Sequence, residues 1–176
     1  MLRGAEVTLI SGPTAIEPPM FVNVIPIISA QEMFEKVATN ATENDIIIKA
    51  AAVADYRPKE VCDEKIKKSD HDTEIELERT TDILAYLGKN KGKTFLCGFS
   101  METENMLENS RRKLDKKNLD MIVANNLKDK GAGFGVDTNL ITIITRDREL
   151  QLELMSKQDA ANCILDEIIR KIGNRE

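Results

Sequence analysis

The sequence has one histidine, three cysteines and neither a GxGxxG fingerprint nor a phosphate-binding P-loop. Each scarcity excludes something. His71 stands in the polar stretch SDHDTE, so a histidine-dependent triad or a histidine-rich metal centre is not expected. Cys62, Cys97 and Cys163 are odd in number and far apart. That argues against a disulfide framework or a zinc knuckle and fits reduced thiols in a cytoplasmic protein. No apolar run reaches the ~18 residues of a membrane span, and Met1 opens no signal-peptide pattern. A net charge of −5 speaks against broad binding to nucleic acid or an acidic membrane. It leaves room for a local basic pocket that takes a phosphorylated small molecule.

What is present describes a globular α/β chain. Its 176 residues are 41% hydrophobic and 31% charged, enough for one sizeable core. Strands are predicted over 6–11, 21–28, 45–49, 93–99 and 119–124. Helices are predicted over 29–41, opened by the capping-box pattern Ser29-Ala-Gln-Glu32, and over 82–87, 102–117 and 157–172. The 45–49 run, Asp-Ile-Ile-Ile-Lys, reads as a strand buried on both faces. The last helix carries an apolar stripe of Ala160, Ala161, Ile164, Leu165, Ile168 and Ile169. Segments 139–145 and 150–154 alternate as a half-exposed hairpin would. Strand–helix alternation up to residue 125 predicts a three-layer αβα, Rossmann-like, mostly parallel sheet with a C-terminal antiparallel hairpin.

Ligands of open α/β sheets bind at the carboxyl ends of the strands. The loops that merit attention are therefore 11–20, 50–64, 98–103 and 124–137. After the third strand, Ala50, Ala51 and Ala52 are small; they either let a ligand reach the backbone or let a helix pack close. Asp55 suits a ribose hydroxyl, an amino group or a metal. Lys65 and Lys67 share a face if Lys65-Ile-Lys-Lys68 is extended, which suits a polyphosphate. The alternative is a solvated basic edge strand, or a charge-paired hairpin with Glu74-Ile-Glu-Leu-Glu78. Phe99 either stacks on a base or fills the core. Lys113 and Lys117 share a helix face, where they either meet a ligand or complement the helix dipole.

Taken together, AAVADYRP, EKIKK, GFSMETEN, KKNLDMIVANN and GAGFGVDTN, in this order, resemble phosphopantothenoylcysteine synthetase. That is the ligase domain usually fused behind an FMN-dependent phosphopantothenoylcysteine decarboxylase in coenzyme A biosynthesis proteins. The resemblance runs from about Gly4 to the C-terminus. It implies a CTP-dependent ligase that joins 4′-phosphopantothenate to L-cysteine through an acyl-cytidylate, with Mg2+ accompanying the nucleotide and a homodimer as the assembly. By resemblance, Lys65 is the essential lysine of a Lys-rich flap. Ala50, Ala51, Asp55, Lys65, Thr81, Asp82, Ile83, Leu84, Phe99, Lys113 and Lys117 fall at nucleotide contacts. Ala52, Arg57, Lys67, Lys68 and Asn125 fall at substrate contacts; no metal ligand is assigned. The family begins with a strand, a glycine-rich turn and a loop of the type SNxSSGxMG that nothing here matches. The chain is therefore read as residues 1–176 of an N-terminally truncated ligase domain. The alternative is a truncated module that binds nucleotide and dimerises without ligation. An NAD-type oxidoreductase shares the fold class but needs the absent glycine fingerprint.

Overall fold

The apolar runs form strands and the periodic segments form helices in a computed structural model that describes residues 2–62, 64–65, 74–102, 104–126 and 135–173. In chain order these are β1 (Thr8–Ser11), β2 (Asn23–Pro26), α1 (Ala30–Asn40), β3 (Ile46–Lys49), β4 (Tyr56–Pro58), β5 (Leu77–Arg79), α2 (Ile83–Asn90) and β6 (Phe95–Glu102). There follow α3 (Met106–Lys116), β7 (Met121–Asn126), β8 (Thr138–Asn139), β9 (Ile141–Thr145), β10 (Glu149–Gln151), β11 (Met155–Ser156) and α4 (Lys157–Gly173). Two compact units result: Met1–Thr39 with Ala52–Ile83, and Asn40–Ala51 with Leu84–Glu176.

In the first unit β1 and β2 pair in parallel, Thr8 opposite Asn23. The expected capping box opens α1: Ser29 Oγ accepts the Glu32 N–H at 3.2 Å, and Glu32 Oε2 accepts the Ile28 N–H at 3.0 Å. Such a cap stabilises a helix by about 1 kcal/mol. β4 and β5 form an antiparallel pair with Arg57 opposite Glu78. The acidic run thus has partners other than the lysine run: Arg57 holds Glu78 at 2.7 Å and Lys59 holds Glu76 at 2.8 Å. Cross-strand register puts these charges side by side. The Lys-rich flap beyond Lys65, including Lys67 and Lys68, lies outside the described residues.

The second unit holds a five-stranded sheet in the order β10-β9-β7-β6-β3. β3, β6 and β7 are parallel; β9 runs antiparallel to β7, and β10 antiparallel to β9. Alternation along β6 sends Phe95, Cys97 and Phe99 to one face, where they pack with Met121, Val123, Ile141 and Ile143 against Ala160, Ile164 and Ile168 of α4. The opposite face lies under α2 and α3, giving the expected three layers. There Gly98 is the contact point for α2: a Cβ on it would sit 2.8 Å from Leu84 Cδ2.

Three expectations shift for physical reasons. β3 is an edge strand, so Ile46 and Ile48 are 37% and 41% exposed rather than buried. β9 is wholly buried rather than half-exposed, because it lies between β7 and β10 and is covered by helices. The α4 stripe is narrower than the periodicity implies: Ala161 and Ile169 face outward, while Glu167 is buried. Its carboxylate accepts Nε and Nη2 of Arg170 at 2.9 and 2.6 Å, with Arg148 at 3.6 Å. The Arg170 hydrogen bonds outweigh burial and keep that carboxyl below the ordinary glutamate range. The thiol of Cys97 is pushed far up by burial and then by the Asp120 charge, which makes it inert.

Gly88, in α2, takes the tightest contact in this unit. A Cβ there would lie 1.7 Å from the Lys117 carbonyl oxygen, and the Gly88 carbonyl accepts Asn118 Nδ2 at 2.8 Å. Backbone cannot yield as a leucine tip can. Gly88→Ala should therefore destabilise the unit by about 3 kcal/mol or more despite alanine's better helix propensity, and Gly98→Ala by roughly 1–2 kcal/mol. Urea unfolding of both variants checks this; equal stabilities for Gly88→Ala and the unaltered protein would contradict the packing.

Candidate functional site

Parallel strands bring their carboxyl ends to one edge. In the second unit β3 stops at Lys49, level with Gly98, whereas β6 continues to Glu102. The extension arises because Ser100 and Met101 pair onward with Ala124 and Asn125, so the strand runs into what the sequence reads as a helix start. Ala50 and Ala51 follow β3 and are exposed. The Lys49 ammonium turns back onto the Ala51 carbonyl at 2.8 Å and fixes that turn.

Strand alternation splits the candidate residues between two faces. Phe99 and Asn125 belong to the α4 face; Phe99 is half-buried and packs on the edge of the core cluster. Asn125 is 8% exposed, and its Oδ1 is buried with no hydrogen-bond partner among the described residues. A buried acceptor without a donor costs about 1–3 kcal/mol.

Ser100 and Glu102 belong to the α3 face, where Lys113 reaches them. The Lys113 ammonium donates to Glu102 Oε1 at 2.6 Å and to Ser100 Oγ at 3.2 Å. Ser100 Oγ donates to the same carboxylate oxygen at 3.1 Å, and Asn109 Nδ2 to Oε2 at 3.3 Å. Burial raises the Glu102 pKa, but the hydrogen bonds from Lys113 and Ser100 and the Lys113 charge, with Asn109, outweigh it and hold the carboxyl below its ordinary range. Sequence reading missed Glu102, which motif spacing alone offers as a helix-start acid. Lys117 caps α3 one turn further on, about 6 Å along the axis, with its carbonyl against Gly88.

In the first unit, residues 26 apart in sequence meet. Thr80 donates its N–H to the Asp55 carbonyl at 3.0 Å and its hydroxyl to the Ala54 carbonyl at 2.6 Å. This ties the backbone of the exposed Asp55 to Thr80, next to the exposed Thr81 and Asp82; Ile83 and Leu84 follow as buried residues that open α2. Ala52 is exposed in the same loop, and Lys65 is exposed. Arg57 is engaged by Glu78, and Arg79 stacks over Tyr56 at 5.9 Å, so both arginines of the β4–β5 pair have partners within it. Among the described residues no group of three or more His, Cys, Asp or Glu is placed to hold a metal ion. Among them, too, no helix is long and apolar enough to cross a membrane.

Comparison with known proteins shows the family and the fold. Residues 1–172 match the family model for the DNA/pantothenate metabolism flavoprotein C-terminal domain. The chain is 48% identical over 167 residues to the coenzyme A biosynthesis bifunctional protein CoaBC of Bacillus subtilis, covering 94% of this chain and 41% of that protein. It is 42% identical to the CoaBC of Haemophilus influenzae, covering 96% of this chain and 42% of that one. The chain thus spans less than half the length of these curated relatives. The crystal structure of a CoaBC C-terminal domain superposes with a TM-score of 0.81 at 44% identity, over 98% of this chain and 79% of that one. The flavoprotein of the same name from Streptococcus pneumoniae, at 19% identity and a TM-score of 0.80 over 97% of this chain and 83% of that one, shares the fold.

The depressed Glu102 carboxyl yields a signed prediction. Its contribution to stability is complete above the unfolded glutamate pKa of about 4.3 and is lost as pH falls through the lower folded value. Lys113→Ala removes the main interactions that lower it, so Glu102 should titrate at higher pH in that variant. Carboxyl-carbon NMR titration reads this directly, and an unmoved Glu102 resonance would mean that Lys113 does not hold it.

Proposed function

The chain belongs to the DNA/pantothenate metabolism flavoprotein C-terminal domain family, and from that premise we propose that it carries the ligase step of coenzyme A biosynthesis. It joins 4′-phosphopantothenate to L-cysteine at the expense of CTP. The observation that carries this reading is what the carboxyl edge of one sheet holds on its two faces: on the α4 face Phe99 and the buried Asn125 Oδ1, which has no partner among the described residues, and on the α3 face the held Lys113 ammonium. These are the groups needed for a base, an amide or hydroxyl, and a phosphate.

The reaction has two steps. A carboxylate oxygen of phosphopantothenate attacks the α-phosphorus of CTP; the new O–P bond forms as the bond to the bridging oxygen breaks, and pyrophosphate leaves with that electron pair. The cysteine amine then attacks the acyl carbon, the acyl–oxygen bond breaks, CMP leaves with the electrons and the amine loses a proton. Both steps build negative charge on phosphate oxygens, so positioned cations supply most of the catalysis. Lys65 meets the charge on the departing pyrophosphate. Lys113 and Lys117 neutralise the nucleotide phosphates, and Phe99 lies against the base. Asn125 accepts from a donor on the pantothenate arm. Mg2+ accompanying the triphosphate would be held by the exposed Asp55, since such an ion needs only one or two protein carboxylates beside phosphate oxygens, and it would supply further charge neutralisation there. A decarboxylase domain fused ahead of the ligase in the same polypeptide, a cytoplasmic location and a homodimer complete the reading.

Two outcomes test it. Calorimetric titration with CTP and Mg2+ should give saturable binding that ATP does not match, and pyrophosphate should appear when phosphopantothenate is added; CTP binding without pyrophosphate would favour a nucleotide-binding module. Lys65→Ala should reduce turnover by at least about 100-fold while leaving the thermal midpoint in place, since an exposed lysine adds little to stability. Full turnover by that variant would remove Lys65 from the mechanism.

A further inference from the structure

The Glu102 carboxylate accepts three hydrogen bonds, which leaves about one of its four acceptor positions open. Oε1 accepts from Lys113 and Ser100, Oε2 accepts from Asn109, and the side chain is 16% exposed. A carboxylate so occupied is a poor base and a poor metal ligand. Lys113 is the opposite case. Its side chain is 43% exposed, and two of its three ammonium protons are taken, by Glu102 and Ser100. The third has no acceptor among the described residues. The contact spans strand and helix: Glu102 and Ser100 stand at the end of β6, and Lys113 on α3.

We propose that Glu102, with Ser100, is a positioning residue that fixes the Lys113 ammonium at the carboxyl edge of the sheet with one proton directed to an anionic phosphate. The inference rests on the nucleotide reading given above. A lysine carries four rotatable carbon bonds, and holding it in one place before the ligand arrives removes an ordering cost from binding. Asn109 steadies the carboxylate and is itself held, its Oδ1 accepting from Arg112 at 3.0 Å.

The proposal makes a prediction whose sign differs from that of charge alone. Deleting a carboxylate next to an anion site relieves repulsion and should tighten nucleotide binding. If Glu102 positions Lys113, deletion weakens binding instead. Calorimetric CTP–Mg2+ titration of Glu102→Ala, Lys113→Ala, the double variant and Glu102→Gln decides between them. Expected are a Kd about fivefold or more higher for Glu102→Ala, a comparable or larger rise for Lys113→Ala, and a double variant no worse than Lys113→Ala alone. Glu102→Gln keeps an acceptor oxygen for Lys113 and should recover part of the loss, which also decides the matter if Glu102→Ala fails to fold. Unchanged or tighter binding by both Glu102 variants overturns the proposal, as does a double variant whose loss is the sum of the singles. Lys113→Ala with unaltered affinity, or no CTP binding by the unaltered protein, overturns the nucleotide reading itself and the proposal with it.

Discussion

A parallel strand in the middle of a sheet must be covered on both faces, and β6 meets that requirement between β3 and β7. Phe95, Leu96 and Cys97 are all fully buried, facing α4 and the α2–α3 layer alternately. The cover on the second face is close enough to need Gly98 beneath Leu84, and Gly88 against the Lys117 carbonyl. With both faces occupied, the open position left to β6 is its carboxyl end. The period-two alternation that builds the core then divides the site as well. Phe99 goes to one face and Ser100 and Glu102 to the other, so the edge carries an apolar surface on one side and a held cation on the other.

Two lysine–carboxylate pairs mark the two ends of the β6–β7 pair, and their contrast is informative. At the amino end Asp120 accepts Lys91 and the Leu96 N–H, each at 2.8 Å, and both side chains of the ion pair are only 12–13% exposed. That pair ties the start of β6 to the start of β7 and leaves little for a ligand to touch. At the carboxyl end the carboxylate is similarly sheltered, but the lysine is 43% exposed. The same chemistry serves as a closed clasp at one end and as a presented charge at the other. Solvent access to the lysine, rather than the strength of either pair, separates the two roles.

Much of the organisation was legible along the chain because it depends on neighbours in sequence. The capping box at Ser29–Glu32, the β-branched strands, the α4 stripe and the β9–β10 hairpin follow from local preference and period, and the ordered motifs identify the family. The resemblance of the motifs also names Phe99, Lys113 and Asn125 as expected contacts, since strand ends and motif positions are local features. What only the tertiary structure decided are pairings between distant residues and the covering of one element by another. Those include the edge position that exposes Ile46 and Ile48, the burial of β9 on both sides, the choice of Arg57 and Lys59 as partners for Glu78 and Glu76, and the meeting of Asp55 with Thr80. The Glu102–Lys113 contact belongs with them. Its register depends on β6 continuing two residues past Ser100 against β7, a ladder between strands that no local pattern encodes.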